Sequence, residues 1–335
     1  MRLSDAVALL ACPRCQGALV GGLRCERCAQ SYAVEAGVPE LRLPADARTE
    51  AVRSFYSVAP FPGYPPRDSH GWLRARAARS EIARLLDQAI PGDARVVELG
   101  CGTGQMALFL ASADRLVIGA DLTRASLELA EAARRRYGVE RALFVETDLR
   151  APGLREGAFD VVYSSGVLHH TPEPRSSFAA MARLARVGGI VVVGLYNAYA
   201  RIPHRLRRGI ARFTRGRLVP FDPVLRDRRT EPERRDAWLR DQYFHVEEHR
   251  HTLREVQKWF GENGVEYLRA FPDTLLSAEP LVGDALFSAA EDDWALENVL
   301  AQLAWMWTLG REGGLFLAIG RRRGAVPVSR EPAAR

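Results

Sequence analysis

An acidic residue and three closely spaced glycines follow an apolar, strand-like run in "VVELGCGTGQ". Glu98 stands two positions before Gly100, and Gly102 and Gly104 complete a GxGxG pattern. The dinucleotide-binding fingerprint is GxGxxG, in which the last glycine comes one position later. A carboxylate at the end of the strand would repel a pyrophosphate and could help to hold a cationic amino group. The pattern therefore favours a cofactor that has an amino-acid group and no phosphate, such as the methyl donor S-adenosylmethionine.

Two further acids end the next two predicted strands. Asp121 ends "IGAD" and is placed to accept hydrogen bonds from both ribose hydroxyls of an adenosine. Asp148 in "FVETDLR" could take the adenine amino hydrogens and would leave the amide of Leu149 for a ring nitrogen. Each acid alone could be an ordinary helix N-cap. Because three acids follow one another at strand ends, we expect them to line one cofactor crevice.

Histidines are the candidates for acid–base chemistry on the acceptor side. His169 and His170 in "GVLHHTP" follow the fourth predicted strand, and a neutral imidazole can accept a proton near neutral pH. The alternative is that this pair caps the strand and packs beneath the cofactor. His245 belongs to a second polar cluster, "DQYFHVEEHRHT". We expect this cluster to form the rim of the acceptor pocket. Structural hydrogen bonding is the second alternative and a metal site is the third.

Four cysteines near the start of the chain form two CxxC pairs, Cys12 with Cys15 and Cys25 with Cys28. A hairpin can bring two such pairs to one tetrahedral ion, and Zn²⁺ is the expected metal. A redox pair, the alternative, normally needs one CxxC at the start of a helix. Because four thiolates leave no open position, the predicted site is structural. Cys101 lies in the cofactor loop, so no thiol is free for covalent methylation of cytosine C5.

Strand-like and helical segments alternate from "ARVVEL" to "GIVVVGLY". Five apolar strands separated by helices predict a parallel sheet covered on both faces, which is a doubly wound α/β domain. A capped helix, "TLREVQKWFGENG", and two more strands follow after an irregular region.

The successive segments "VVELGCGTGQ", "IGADLTRASLELA", "FVETDLR", "FDVVYSSGVLHHTPEP" and "RVGGIVVVGLYN" resemble the motifs of class I S-adenosylmethionine-dependent methyltransferases. The resemblance covers about residues 75–197. It implies a Rossmann-like, seven-stranded, mostly parallel sheet with an antiparallel last strand. The residues that it implies for cofactor binding are Glu98, Gly100, Gly102, Gly104, Asp121, Leu122, Asp148, Leu149 and Ser165. Residues 9–42 resemble the small zinc-ribbon domain that is fused to, or a partner of, many methyltransferases.

These observations divide the chain into a zinc ribbon (1–45), a linker and aromatic lid segment (46–72), a methyltransferase domain (73–323) and a disordered tail (324–335). The methyltransferase domain carries helical lid insertions at about 198–250 and 272–310. An aromatic set could roof the acceptor pocket, although core packing is at least as plausible. This set is Phe55, Tyr56, Phe61, Tyr64, Trp294, Trp305 and Trp307.

The first insertion contains a basic, amphipathic segment, "RIPHRLRRGIARFTRGRLVPF". Ile202, Leu206, Ile210 and Phe213 recur at near-helical spacing with arginines between them. Such a helix could touch an anionic membrane or RNA. The favoured expectation is that the apolar stripe packs on its own domain as a lid while the arginines face water.

Three hypotheses about function remain open at this level. The first is a methyltransferase acting on a small-molecule acceptor by in-line displacement. The second is an rRNA or tRNA methyltransferase that uses the ribbon for RNA or partner contact. The net charge of +6 and the pI of about 9.3 are compatible with this hypothesis. The third is a non-catalytic, cofactor-binding interaction protein. Without an apolar run long enough to span a bilayer, and with cysteines that precede any cleavage site, we expect a cytoplasmic protein that could touch a membrane peripherally.

Overall fold

The structure is a computed structural model that describes residues 6–58, 60, 63–64, 68–227, 232–274, 281–290, 295–309 and 313–324. The strands are β1 (Leu19–Val20), β2 (Arg24–Cys25), β3 (Val34–Glu35), β4 (Val38–Pro39), β5 (Arg95–Leu99), β6 (Leu116–Asp121), β7 (Ala142–Glu146), β8 (Phe159–Ser165), β9 (Ala185–Tyr196), β10 (Val265–Phe271) and β11 (Leu315–Arg322). The α-helices are α1 (Ala47–Val58), α2 (His70–Ala78), α3 (Glu81–Ala89), α4 (Gln105–Ala111), α5 (Arg124–Tyr137), α6 (Pro174–Leu184), α7 (Ile202–Phe213), α8 (Pro223–Asp227), α9 (Pro232–Phe244), α10 (Leu253–Glu262) and α11 (Ala295–Thr308). Short 3₁₀ helices lie at Val7–Leu9, Leu168–His170 and Gly283–Ala285.

Seven strands form the main sheet, in the order β10-β11-β9-β8-β5-β6-β7. β11 runs antiparallel to β9 and β10, and the other pairs are parallel. The predicted seven-stranded, mostly parallel sheet with an antiparallel last strand is therefore confirmed. The central strands are continuous apolar runs because both faces are covered by helices; Val96 and Val97, for example, point to opposite faces and are both fully buried.

The N-terminal ribbon is fused to the edge of this sheet at β7. The amide of Leu41 donates to the carbonyl of Glu146 at 2.8 Å, and Leu10 pairs with Leu154 in an antiparallel bridge. Leu10 and Leu41 are fully buried in one apolar cluster with Val145 of β7. The segment that leaves the ribbon thus covers an edge strand whose backbone groups would otherwise be open to pairing.

Two helical segments differ from the sequence expectation. Residues 72–90 show continuous helical spacing but form two helices, because Ser80 interrupts the first and its side chain accepts from the amide of Ala83 to cap the second. The segment expected to be a linker contains the 12-residue helix α1. Residues 47–58 lack proline and glycine, and the prolines that break the pattern begin at Pro60.

The expected packing of the lid stripe is wrong. Ile202, Leu206, Ile210 and Phe213 are all exposed on α7. The face of α7 that packs on the domain instead carries a histidine and an arginine, His204 and Arg208, because hydrogen bonds and an ion pair hold it there.

Candidate active site

A crevice of about 460 Å³ opens at the carboxyl edge of the sheet, above the ends of β5, β6 and β8. The chain order reverses between β5 and β8, and a ligand-binding crevice is expected at such a switch point in a doubly wound sheet. Eight of the nine sequence-predicted cofactor residues line it: Glu98, Gly100, Gly102, Asp121, Leu122, Asp148, Leu149 and Ser165. Gly104 lies behind the crevice wall, where it caps the start of α4.

Glu98 ends β5 as a buried carboxyl group. Burial is the main reason that the pKa of Glu98 is raised from its ordinary value to about 8. The nearby carboxylate of Asp121 also raises this pKa, whereas a hydrogen bond from the backbone of Ala107 lowers it. Within the described residues, Oε2 of Glu98 has no hydrogen-bond partner. A buried carboxylate oxygen without a partner is costly, so this atom is suited to a cationic donor in a bound ligand.

Asp121 holds the glycine loop in place. Its Oδ2 accepts from the amide of Gly102 and its Oδ1 from the amide of Thr123, both at 2.8 Å. Burial raises the pKa of Asp121, and these backbone hydrogen bonds oppose the rise. A carboxylate has about four lone-pair sites, so each oxygen keeps capacity for a ligand hydroxyl. The N-cap alternative does not apply to Asp121, because Thr123 is the N-cap residue of α5.

The loop needs glycine at two positions for steric reasons. Gly100 has φ +73°, and a Cβ on it would lie 2.2 Å from Cγ2 of Val167. Gly104 has φ +76°, and its Cβ would lie 2.6 Å from the ring of Phe144. Both positions would force the loop away from the crevice if they carried a side chain.

Asp148 forms the far wall of the crevice together with the buried Leu149. An ion pair of 2.8 Å joins Asp148 to Arg150, which also binds Asp46 ahead of α1. The third strand-end acid is thus partly neutralised by an arginine that sequence reasoning did not single out.

The acceptor end of the crevice contains His170. Nδ1 of His170 lies 2.8 Å from the carbonyl oxygen of Glu247, and since a carbonyl only accepts, Nδ1 carries the proton and Nε2 keeps its lone pair. Burial lowers the pKa of His170 to about 3, although the hydrogen bond to Glu247 opposes the change. The imidazole is therefore neutral across the physiological range.

The other two candidate bases stand behind His170 and outside the crevice wall. The ring of His245 stacks on His170 with centroids 3.7 Å apart. His169 is fully buried and stacks on Tyr196 at 3.8 Å, and neither of its ring nitrogens has a hydrogen-bond partner among the described residues. Burial lowers the pKa of both His169 and His245, that of His245 to about 3. Their contacts suit them to support His170.

The lid contributes Tyr56 of the predicted aromatic set and Asp241 of the predicted polar cluster, together with Trp238, which the sequence did not single out. The hydroxyl of Tyr56 on α1 donates to Asp241 on α9 at 2.8 Å, and both side chains face the crevice with Trp238. The sequence did not predict the contact between Tyr56 and Asp241, because α1 and α9 are distant in sequence and meet only in the folded chain.

A buried ion pair fastens the lid to the sheet. Arg201 is fully buried, pairs with Glu248 at 3.0 Å and lies 3.7 Å above the ring of Tyr196, which also lines the crevice. Since the guanidinium also donates to Gln242 of α9, Arg201 links the start of the insertion to the helix that forms the lid.

The predicted aromatic roof is only partly assembled at the crevice. Tyr56 lines it, whereas the hydroxyl of Tyr64 donates to the carbonyl of Thr103 at 2.7 Å. Trp305 is buried and Trp307 is exposed. The predicted Phe61 and Trp294, and residues 325–335 of the predicted tail, lie outside the described residues.

The ribbon cysteines converge on one point, as the paired spacing predicts. The four Sγ atoms of Cys12, Cys15, Cys25 and Cys28 lie within 4.8 Å of one another. The Cys12–Cys28 and Cys15–Cys25 sulfur separations are 3.6 and 3.5 Å, close to the edge of about 3.8 Å of a tetrahedron with metal–sulfur bonds of about 2.3 Å. The hydroxyl of Tyr32 lies 2.9 Å from Sγ of Cys12, where it can donate to a thiolate. The cluster is thus a candidate metal centre, placed away from the crevice.

The strand order and the crevice define the class of protein. Carboxylates replace phosphate-binding groups at the switch point, and an antiparallel strand is inserted beside the last parallel one. This is the arrangement of class I S-adenosylmethionine-dependent methyltransferases, and the class predicted from the sequence is confirmed.

Comparison with known proteins agrees with this class. Residues 97–193 match the family described as a methyltransferase domain, so the chain carries a domain of that family. An uncharacterized protein of Synechococcus sp. is 27% identical over 282 residues, which are 73% of this chain and 67% of the relative. The ubiquinone biosynthesis O-methyltransferase of Bordetella pertussis is 37% identical over 109 residues, which are 31% of this chain. The chain spans 43% of that enzyme's length.

Solved structures show a distant likeness. The magnesium protoporphyrin IX methyltransferase of Synechocystis, solved with bound S-adenosylmethionine, is 15% identical and has a TM-score of 0.47 over 84% of this chain and 99% of that chain. Among the helices in the described part of the chain, none has the length and apolar character needed to cross a bilayer.

Proposed function

We propose that the protein transfers a methyl group from S-adenosylmethionine to a hydroxyl of a small, largely apolar acceptor. The observation that carries this proposal is the single crevice that runs from the strand-end acids to His170 beneath a helical lid. Its volume of about 460 Å³ is within the range of small-molecule sites. The similarity to ubiquinone biosynthesis O-methyltransferases supports an oxygen acceptor.

The residues at the donor end fit S-adenosylmethionine. Glu98 offers an unpartnered buried oxygen to the cationic amino group, and Asp121 offers acceptor capacity to ribose hydroxyls. Asp148 and the backbone of Leu149 would hold the adenine, and Leu122 and Ser165 also line the crevice. When bound, this donor supplies a methyl group on a positively charged sulfur that is already a good leaving group. The protein is left with aligning the acceptor and removing its proton.

His170 is the proposed base. Its Nδ1–H is held by Glu247, so Nε2 is the nitrogen that can accept the acceptor's hydroxyl proton. The low pKa of His170 reflects the cost of a buried charge. That cost is offset during the reaction, because the sulfonium charge disappears as the imidazolium charge forms and the net charge of the site stays constant.

The lid supports the acceptor by shape and by two polar groups. Tyr56 and Trp238 of the lid line the crevice with Tyr196 at the end of β9, while Asp241 and Gln242 of α9 provide hydrogen-bonding groups. Such a lining suits a flat, apolar molecule with a hydroxyl group and excludes water from the reacting atoms. His169 contacts the ring of His170 edge to face, with centroids 4.3 Å apart, and His245 lies against that ring at 3.7 Å, so the two hold it in place.

We infer further that the ion at the ribbon is Zn²⁺ and that its role is structural. Four thiolates at tetrahedral spacing are the donor set that zinc prefers, and they leave no position for substrate.

The deciding experiment incubates the purified protein with methyl-labelled donor and a size-fractionated cell extract. Label in the small-molecule fraction is the expected result. Label in RNA would replace the proposal with the RNA methyltransferase hypothesis. Donor binding without transfer to any fraction would favour the non-catalytic interaction protein.

A further inference from the structure

The outer face of α7 is an apolar stripe without a partner in the described chain. Ile202, Leu206, Ile210 and Phe213 follow at intervals of four, four and three residues and therefore share one helix face. Leu206 is 70% and Phe213 is 92% exposed. Phe221, just beyond the helix, is 93% exposed. Clustered apolar side chains with this exposure mark a contact surface more often than scattered ones do.

Polar contacts on the opposite face keep the stripe pointing outward. Nε2 of His204 lies 2.8 Å from the carbonyl oxygen of Gln242, and Arg208 pairs with Glu248 at 2.6 Å. Ala211, further along the same helix, is fully buried. Turning the stripe inward would break these buried interactions and leave a charge and an imidazole without partners, which is costly.

The charge around the stripe has one sign. Residues 198–221 contain seven arginines and no aspartate or glutamate. Arg205, Arg212, Arg215 and Arg217 are exposed, and none of them has an acidic partner within the residues that the structure describes. Many other exposed arginines are paired, as Arg175 is with Glu262 at 2.6 Å. Within the described part of the chain these four arginines therefore have no partner carboxylate, and their positive charge complements an anionic surface.

We propose that this face, defined by Ile202, Leu206, Ile210 and Phe213 with the flanking arginines, docks on an anionic lipid surface. An interfacial helix buries its apolar side chains about 5–10 Å into the boundary of headgroups and acyl chains while its cationic side chains meet lipid phosphates. Aliphatic side chains at three of the four positions gain nothing from stacking on RNA bases. A second copy of the chain would present the same positive charge and be repelled.

This surface is distinct from the crevice, and the proposal does not depend on methyl transfer. α7 packs on α9, whose Trp238 and Asp241 line the crevice from the other side. Docking would therefore bring the lid of the crevice to the lipid surface.

The test is flotation of the full-length protein with two kinds of vesicle, one of phosphatidylcholine and one of phosphatidylcholine with phosphatidylglycerol. We expect binding to the anionic vesicles only. This binding should be weaker at about 0.15 M salt than at lower salt, because the Debye length falls to about 8 Å. Leu206→Ser with Phe213→Ser should lower vesicle binding at least about tenfold. Arg205→Gln with Arg212→Gln should lower it about fivefold for each arginine removed.

Val187→Ser with Arg95→Gln is the matched control. Val187 is 62% exposed and Arg95 is exposed, and both lie at the amino ends of their strands, away from α7. This control should bind vesicles as the native chain does. Thermal unfolding midpoints verify that each variant is folded; should a serine variant unfold, Leu206→Ala with Phe213→Ala replaces it.

Several outcomes would overturn the proposal. Equal binding of the native chain to both vesicles, or no binding to either, excludes an anionic lipid surface. Unchanged binding of the serine variant shows that another face makes the contact. Binding of an RNA oligonucleotide that the arginine variant loses and the serine variant keeps identifies the face as an RNA surface. A concentration-dependent dimer that the serine variant abolishes identifies a second copy as the occupant.

Discussion

His170 and His245 stack with ring centroids 3.7 Å apart, and the backbone of Glu247 orients both rings. The carbonyl of Glu247 accepts from Nδ1 of His170 at 2.8 Å, whereas its amide donates to Nδ1 of His245 at 3.0 Å. Nδ1 is therefore protonated in one ring and unprotonated in the other. The two backbone groups of one residue thus fix opposite tautomers in two adjacent imidazoles, and leave Nε2 of His170 as a proton acceptor.

The first prediction concerns this acceptor nitrogen. His170→Gln should lower kcat by roughly 10²–10⁴-fold, the usual contribution of a general base, while donor affinity changes little. The measurement is transfer of label from the donor into the small-molecule fraction, with calorimetry for donor binding. His70→Gln is the matched control, because His70 bonds Ser112 outside the crevice. Equal rates for His170→Gln and the native chain would exclude His170 as the base.

The second prediction concerns the pH dependence of donor binding. Because burial holds the pKa of Glu98 near 8, the empty site keeps this carboxyl group protonated at neutral pH. Binding a cationic amino group must ionise it, so affinity should rise with pH from 6 to about 8, by up to about tenfold per pH unit. Above that range the rise should stop, since an α-amino group itself titrates near 8. Calorimetry across this range checks the profile.

Glu98→Gln should weaken donor binding and remove this pH dependence. Asp114→Asn is the control, since Asp114 is an exposed acid ahead of β6 at the opposite edge of the sheet. A Glu98→Gln variant that binds the donor as tightly as the native chain, with the same pH profile, would contradict the proposed role of this carboxyl group.

The third prediction concerns stability without the donor. The pKa of Glu98 is higher in the folded chain than its ordinary value of 4.5, so between about pH 4.5 and 8 the folded state holds a proton that the unfolded state has lost. The contribution of Glu98 to the free energy of unfolding is therefore greatest below pH 4.5 and is lost as the pH rises through 8. Glu98→Gln should raise the melting temperature at pH 9 by about 3 °C or more, and change it little at pH 5. Calorimetric scans at the two pH values test this; a constant difference between them would contradict it.

The fourth prediction concerns the metal. Purified protein should contain about one zinc ion per chain by elemental analysis, and Cys25→Ser should lose it. Cys101→Ser should retain the metal, because Cys101 lies in the glycine loop apart from the cluster. Retention of zinc by Cys25→Ser would show that the ion binds elsewhere.

The fifth prediction concerns the contact between the ribbon and the sheet. Leu41 is fully buried against the edge of the sheet, and a Cβ on Gly153 would lie 2.4 Å from its Cβ. Leu41→Ala should lower the free energy of unfolding by about 2–5 kcal/mol in denaturant titrations, as cavities in cores do. Val34→Ala, at an exposed position of the ribbon, should cost less than about 0.5 kcal/mol. Similar losses in both variants would show that the ribbon does not share the core.

The donor half of the crevice could be predicted from the sequence because each of its groups sits beside a local signal. A glycine pattern with an acid before it, and acids that end apolar strands, are short-range features, and parallel strands bring their carboxyl ends to one edge. For the acceptor half, the sequence offered only an aromatic set and a polar cluster, without the contacts between them. Tyr56 and Asp241 are 185 positions apart, and their hydrogen bond depends on how α1 and α9 pack.

The lid shows where pattern reasoning failed and why. The periodicity of α7 correctly predicted a helix, but an amphipathic pattern does not state which medium the apolar face meets. The ion pair of Arg201 and Glu248 and the hydrogen bond of His204 placed the polar face inward instead.

The order of residues alone therefore determined the alternation of strands and helices, the glycine loop with its acids and the paired cysteines, because each depends on spacing within a few turns or strand ends. Tertiary packing decided which histidine reaches the crevice, how α1 and α9 close over it, and that the stripe of α7 faces outward. Those outcomes depend on the relative free energies of contacts between segments that are distant in sequence. The burial, hydrogen bonds and ion pairs that set these free energies form only when the chain folds.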